Sequence, residues 1–170
     1  MRTQIIRFAA LTGFMLLLAF ALPLSAADNP ALWKHQVKGD YGRVLAGVKA
    51  ALEEQQFQIL GEENLARGLE NNRQVFGEDK WNSIGFQNVN AVNFCSLSFN
   101  QRVFNLNMDW AILCPFKVVV YNMKKNPEQM TILLTRPTWL LTRDSHKLAH
   151  EVGSGIEQRI ITTLKEGAAR

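Results

Sequence analysis

The sequence predicts a single α+β domain: a small mixed or antiparallel sheet with helices packed on one of its faces. Three observations lead to that class. Residues 41–54 and 145–166 carry apolar side chains at three- and four-residue spacing, the stripe of an amphipathic helix. Several short runs are β-branched and aromatic, strongest at 116–121, as strands are. The 170 residues are 47% apolar and 20% charged, with a mean hydropathy of -0.08. That supplies one hydrophobic core in a chain of ordinary single-domain length, and it excludes a disordered polyelectrolyte.

The elements follow in order. Arg2 and Arg7 form a positive start, residues 8–24 are almost wholly apolar, and Pro23 precedes the small residues Ser25-Ala26-Ala27. This is the pattern of an export signal over residues 1–26, cleaved after Ala26 or Ala27. The apolar run is too short and too interrupted, by Thr12, Gly13 and Pro23, for a spanning anchor. The expected mature domain covers residues 28–170, in the periplasm or secreted, with no stable membrane anchor. Loss of Arg2 and Arg7 leaves 17 basic against 15 acidic residues, a net charge of +2. A nearly neutral chain without a long basic run offers no nucleic-acid face.

Residues 32–37 alternate as a first strand does. Gly39 breaks it and Asp40 is placed to cap a helix, whose stripe is Tyr41, Val44, Leu45, Val48 and Leu52. Residues 57–60 read as a strand closed by Gly61, and 62–88 as a mainly polar loop with a short helix near 65–70. A strand is expected over 89–97, then a short helix capped by Ser98 and carrying Val103, Phe104 and Leu106. Residues 116–121 form a strand, 123–129 a hairpin loop, and 130–135 the return strand, ended by Pro137. Asp144 or Ser145 caps the last helix, whose stripe is Leu148, Val152, Ile156, Ile160 and Leu164. Gly153 and Gly155 each weaken it by about 1 kcal/mol relative to alanine, so the helix packs closely there or bends.

Three segments carry a likeness to a known family. A helix leads into an aromatic-led strand at 52–60, with Phe57 first. Asn93-Phe94-Cys95-Ser96 stands where the family has a Phe-Cys-Asn-Pro type turn entering a helix. Residues 113–121, Leu-Cys-Pro-Phe-Lys-Val-Val-Val-Tyr, stand where it has a Leu-Pro-Cys-Arg-Val-x-Val-Tyr type strand. Over about residues 40–140 the chain resembles the domain-of-unknown-function family 302. Cysteine and proline are exchanged at Cys114-Pro115, and Ser96-Leu97 replaces Asn-Pro. The resemblance implies a small α+β fold, often dimeric, and no established reaction.

Few constellations could carry chemistry. In an oxidising compartment, Cys95 and Cys114 are candidates for a disulfide closing a loop of about 20 residues, worth about 3 kcal/mol. A redox-active pair is the alternative, although the Cys-x-x-Cys spacing is missing. His146 and His150 share a helix face and could clasp a metal, copper included, but two ligands do not make a site. Ser154 lies inside a helical pattern and lacks the nucleophile-elbow frame. Trp81, Trp110 and Trp139 lie near element ends, where aromatics pack on a core edge or line a pocket.

The sequence therefore leads to an exported module of unknown specificity, binding a small ligand or a protein partner without evident catalysis and without a cofactor. Its pocket would be framed by Cys95, Trp110, Cys114 and Tyr121. Homodimerisation would use a sheet edge or the last helix. The alternative is a thiol-redox or copper-handling protein using Cys95 and Cys114.

Overall fold

The computed structural model describes residues 29–143 and 147–170. Five strands, β1 (Leu32–Lys38), β2 (Gln58–Asn64), β3 (Phe86–Cys95), β4 (Phe116–Met123) and β5 (Asn126–Thr135), form one sheet in the order β1-β5-β4-β3-β2. Every neighbouring pair is antiparallel. Among the described residues six helices accompany them: α1 (Tyr41–Glu54), α2 (Leu65–Asn71), α3 (Arg73–Phe76), α4 (Leu97–Phe104), α5 (Pro137–Leu141) and α6 (Lys147–Ala168). A 3-10 turn at Met108–Leu113 precedes β4.

Register assigns the two faces of the sheet. Trp33, His35 and Val37 stand opposite Leu134, Ile132 and Met130, which in turn stand beside Val118, Val120 and Asn122. Alternation puts all of these on one face, and it is the face that joins Val48 and Leu52 of α1, Val103 of α4, Leu141 of α5 and Ile160 of α6 in the core. Helices on one face of an antiparallel sheet are the expected α+β arrangement. Lys34, Gln36, Leu133, Val119 and Tyr121 share the opposite face, where the last three are half-buried.

Local sequence explains most element ends. The Asp40 side chain accepts a hydrogen bond from Arg43 N at 2.9 Å and starts α1. Ser96, rather than Ser98, caps α4 by accepting from Phe99 N at 3.4 Å. β2 does not stop at Gly61; a bulge between Ile59 and Gly61 lets it continue through Glu62-Glu63-Asn64. The short helix expected near 65–70 is α2, and the rest of the stretch read as loop holds α3 and the start of β3 at Phe86. The β4–β5 hairpin turns on Lys124 and Lys125 alone, so β5 begins at Asn126. Pro137 does end β5, and it is also the first residue of α5, where a missing N–H costs nothing.

Close packing answers the glycine question at one position and not the other. A Cβ on Gly153 would stand 2.6 Å from Leu141 Cδ1, so α5 rests directly on the α6 backbone, whereas nothing lies within 4 Å of such an atom on Gly155. The expected signal segment, and the cap at Asp144 or Ser145, lie outside the described residues.

Candidate functional site

Among the described residues β1 is a free edge of the sheet, and the hydrogen bonds around it show which of its backbone groups those residues leave unpaired. Arg136 N donates to Ala31 O and Gly39 N donates to Glu128 O, each at 2.9 Å. Hydrogen-bonded pairs alternate along an antiparallel ladder. With the unbroken register between these two bonds, Trp33, His35 and Val37 direct their N–H and C=O groups to β5. Lys34, Gln36 and Lys38 direct theirs outward, as does Leu32, whose N–H is taken by Asn29 O at 2.9 Å.

A groove of about 920 Å³ follows this edge, and all five residues from Leu32 to Gln36 line it. One wall lies on the helix side, where Trp33 and His35 stack at 5.6 Å with ring planes 15° apart beside Ile161 and Glu157 of α6. The other lies on the opposite face of the sheet and is built by Lys34, Leu133 and Tyr121.

The end of the groove is held rigidly. Glu157, 5% exposed, accepts from Arg136 Nε at 2.8 Å through one oxygen and from Thr138 N at 3.0 Å through the other, which the Thr138 hydroxyl also reaches. The carboxylate thus neutralises Arg136 and caps α5 from another helix. Arg136 Nη1 adds a bond to Pro30 O at 3.4 Å. Burial, and then the nearby Lys165 ammonium, hold the His35 ring below the usual histidine pKa. Lys34 and Lys38 make no ion pair among the described residues, so the positive charge on this edge is not offset there.

A second polar cluster ties α1 to the sheet. The Tyr41 hydroxyl lies 2.8 Å from Asn90 Oδ1 and 3.1 Å from Val120 O; Asn90 donates to Glu62 at 2.7 Å, and Lys49 donates to the other Glu62 oxygen at 2.6 Å. Burial pushes the Tyr41 pKa up to about 12, and the Lys49 ammonium is the main cause holding the Glu62 carboxyl below its ordinary value. Each side chain named here has a partner, including the buried Asn90, whose polar atoms would otherwise be costly to leave unbonded.

The residues singled out in the sequence are not gathered at one place. Cys95 and Cys114 form a disulfide, Cα–Cα 5.6 Å, joining the end of β3 to the entry of β4; Cys95 is 2% exposed. Tyr121 pairs with Val89, six residues from Cys95 along β3, a separation of about 20 Å at about 3.3 Å per residue. The pocket framed by Cys95, Trp110, Cys114 and Tyr121 is therefore not formed: Tyr121 lines the β1 groove, and Trp110 packs half-buried against the core. Trp81 meets Phe86 edge-on at 5.8 Å, and Trp139 lies under the Arg143 guanidinium at 5.0 Å. His146 lies outside the described residues, and no three metal-ligating side chains converge among those described, His150 included. The sequence does not mark Trp33, Arg136 and Glu157 as site residues. Their signals are modest: aromatics two apart in an alternating run, and a carboxylate on the apolar stripe of the last helix.

The comparisons agree with this fold. The sequence profile of the family described as "Domain of unknown function DUF302" matches residues 33–166. Among solved structures, the crystal structure of an uncharacterized conserved DUF302 protein from Bacillus stearothermophilus is similar, with a TM-score of 0.66 at 18% identity. The match covers 81% of this chain and 98% of that one. No curated protein matches the chain.

Proposed function

The chain belongs to the DUF302 family, and from that premise we propose that it is an exported, non-enzymatic binding module whose ligand lies in the groove along β1. The observation that carries this reading is the groove itself, where an open sheet edge, stacked aromatic rings and uncompensated lysine charge meet. Binding sites combine apolar walls with a few convergent polar groups in this way. Lys34, the lining cation without an ion pair among the described residues, favours an anionic ligand. Export is supported by the basic, apolar and small-residue order of residues 2–27. A disulfide suits the oxidising periplasm to which such a signal leads. In this reading Cys95–Cys114 is a structural tie, not a redox centre.

The test is an NMR titration of the exported chain with a panel of dicarboxylic acids and of acidic and basic heptapeptides. Anionic members are expected to shift the Trp33 indole and His35 ring signals, and Lys34→Glu to weaken them. Shifts centred on Cys95 and Trp110, or none with any member, would contradict the reading.

A further inference from the structure

We propose that the ligand is an extended peptide with acidic side chains at alternate positions, added to the sheet as a sixth strand along the free edge of β1. This rests on the binding reading above and adds how the ligand is held. Lys34 and Gln36 each turn one N–H and one C=O outward, by the parity that the Ala31–Arg136 and Gly39–Glu128 bonds impose. An incoming antiparallel strand pairs with both residues and makes four backbone hydrogen bonds, the mode by which exposed sheet edges capture extended segments.

The shape of the groove fits that occupant. A small molecule lying on a sheet touches every second residue, because alternate side chains leave by opposite faces. Here five consecutive residues of β1 line one depression that wraps the edge. A strand laid beside β1 sends its own side chains alternately to the two walls. Those opposite Lys34 and Gln36 share the lysine face, and those between them meet Trp33, His35 and Ile161. The matching sequence alternates acidic and apolar residues.

Charge separates this occupant from a second copy of the chain. Two β1 strands paired edge to edge would bring Lys34 and Lys38 of both copies to one seam, and lysines on an edge deter such self-pairing. An acidic segment meets the same lysines as partners.

The experiment uses the exported chain and a blocked heptapeptide probe, Thr-Glu-Val-Glu-Val-Glu-Thr. Its controls are the counterpart with Lys for Glu and the Glu peptide N-methylated at alternate amides. The Glu peptide is expected to bind, to protect the Lys34 and Gln36 amides from exchange, and to lose affinity at least tenfold on N-methylation of the edge that meets β1. Gln36→Pro removes one outward N–H and leaves the bonds to β5, a substitution an edge strand accommodates; it is expected to cost about tenfold in affinity. N-methylation tests the same bonds without altering the protein, should that variant not fold. If Lys34→Glu weakens binding while N-methylation does not, strand addition is overturned and the anion-binding groove survives. If neither peptide binds, the inference is overturned, whether the free protein is a monomer or a dimer with Lys34 and Gln36 already protected.

Discussion

Gly47 and Gly167 meet backbone to backbone where α1 crosses α6. A Cβ on Gly167 would stand 2.6 Å from the Gly47 carbonyl oxygen and 2.8 Å from Val48 Cα. Backbone cannot yield as a side-chain tip can, so Gly167→Ala must push the two helices apart. Overpacking of this kind costs about 1–3 kcal/mol, which outweighs the roughly 1 kcal/mol that alanine contributes to helix propensity. Gly155 is exposed on the same helix with open space around it. Gly155→Ala should therefore stabilise by about 0.5–1 kcal/mol. Urea unfolding of the two variants should give opposite signs; equal signs would refute the crossing as described.

Glu157 holds α5, Arg136 and the end of the groove with one carboxylate. Glu157→Ala leaves the Thr138 N–H and the Arg136 guanidinium without it, at a cost of about 1–3 kcal/mol. Glu157→Gln keeps an acceptor and should lose less. Thermal unfolding of both variants checks the order, and equal losses would show that the charge and not the cap carries the effect.

The disulfide closes a short loop, its two cysteines 19 positions apart in sequence. Cys95→Ser should lower stability under oxidising conditions by about 3 kcal/mol on the chain-entropy account. Adding reductant to the parent should bring it to the same melting temperature. Identical stability of parent and variant with and without reductant would contradict a structural bridge.

Those features were unequally legible in the sequence. α1, β4 and α6 declare themselves through unbroken period, and Asp40 through its place before one. The second half of β2 does not, because Glu62, Glu63 and Asn64 lie on an exposed edge and carry no apolar alternation. α5 is hidden by its five-residue length and by Pro137, which reads as a stop when its neighbours are unknown. The groove is the least legible part. Trp33, Arg136 and Glu157 come from three distant segments, and only strand order brings β1 beside β5, where Glu157 and Ile161 of α6 complete the groove. The cysteine pair suggested a pocket that register forbids, since Tyr121 stands far down β4 from Cys114.

Acid titration separates two groups. The folded His35 pKa lies below 6.5, so as pH falls from 6.5 the unfolded chain takes up a proton the native ring refuses, and stability declines down to the folded value. His35→Gln should flatten that stretch. The Glu62 pKa is lowered from 4.5; its contribution is complete above 4.5 and is lost as pH falls through the folded value. Glu62→Gln should flatten only this more acidic region. Denaturant unfolding at closely spaced pH values reads both, and a His35→Gln profile parallel to the parent would contradict the assignment.

Amide exchange along β1 tests the free edge most directly, because it needs no ligand. Trp33, His35 and Val37 should exchange slowly, held by β5, and Lys34 and Gln36 between them should exchange fast. Uniform protection from Trp33 to Val37 would mean that the edge is already occupied, and the binding groove proposed along it would not exist.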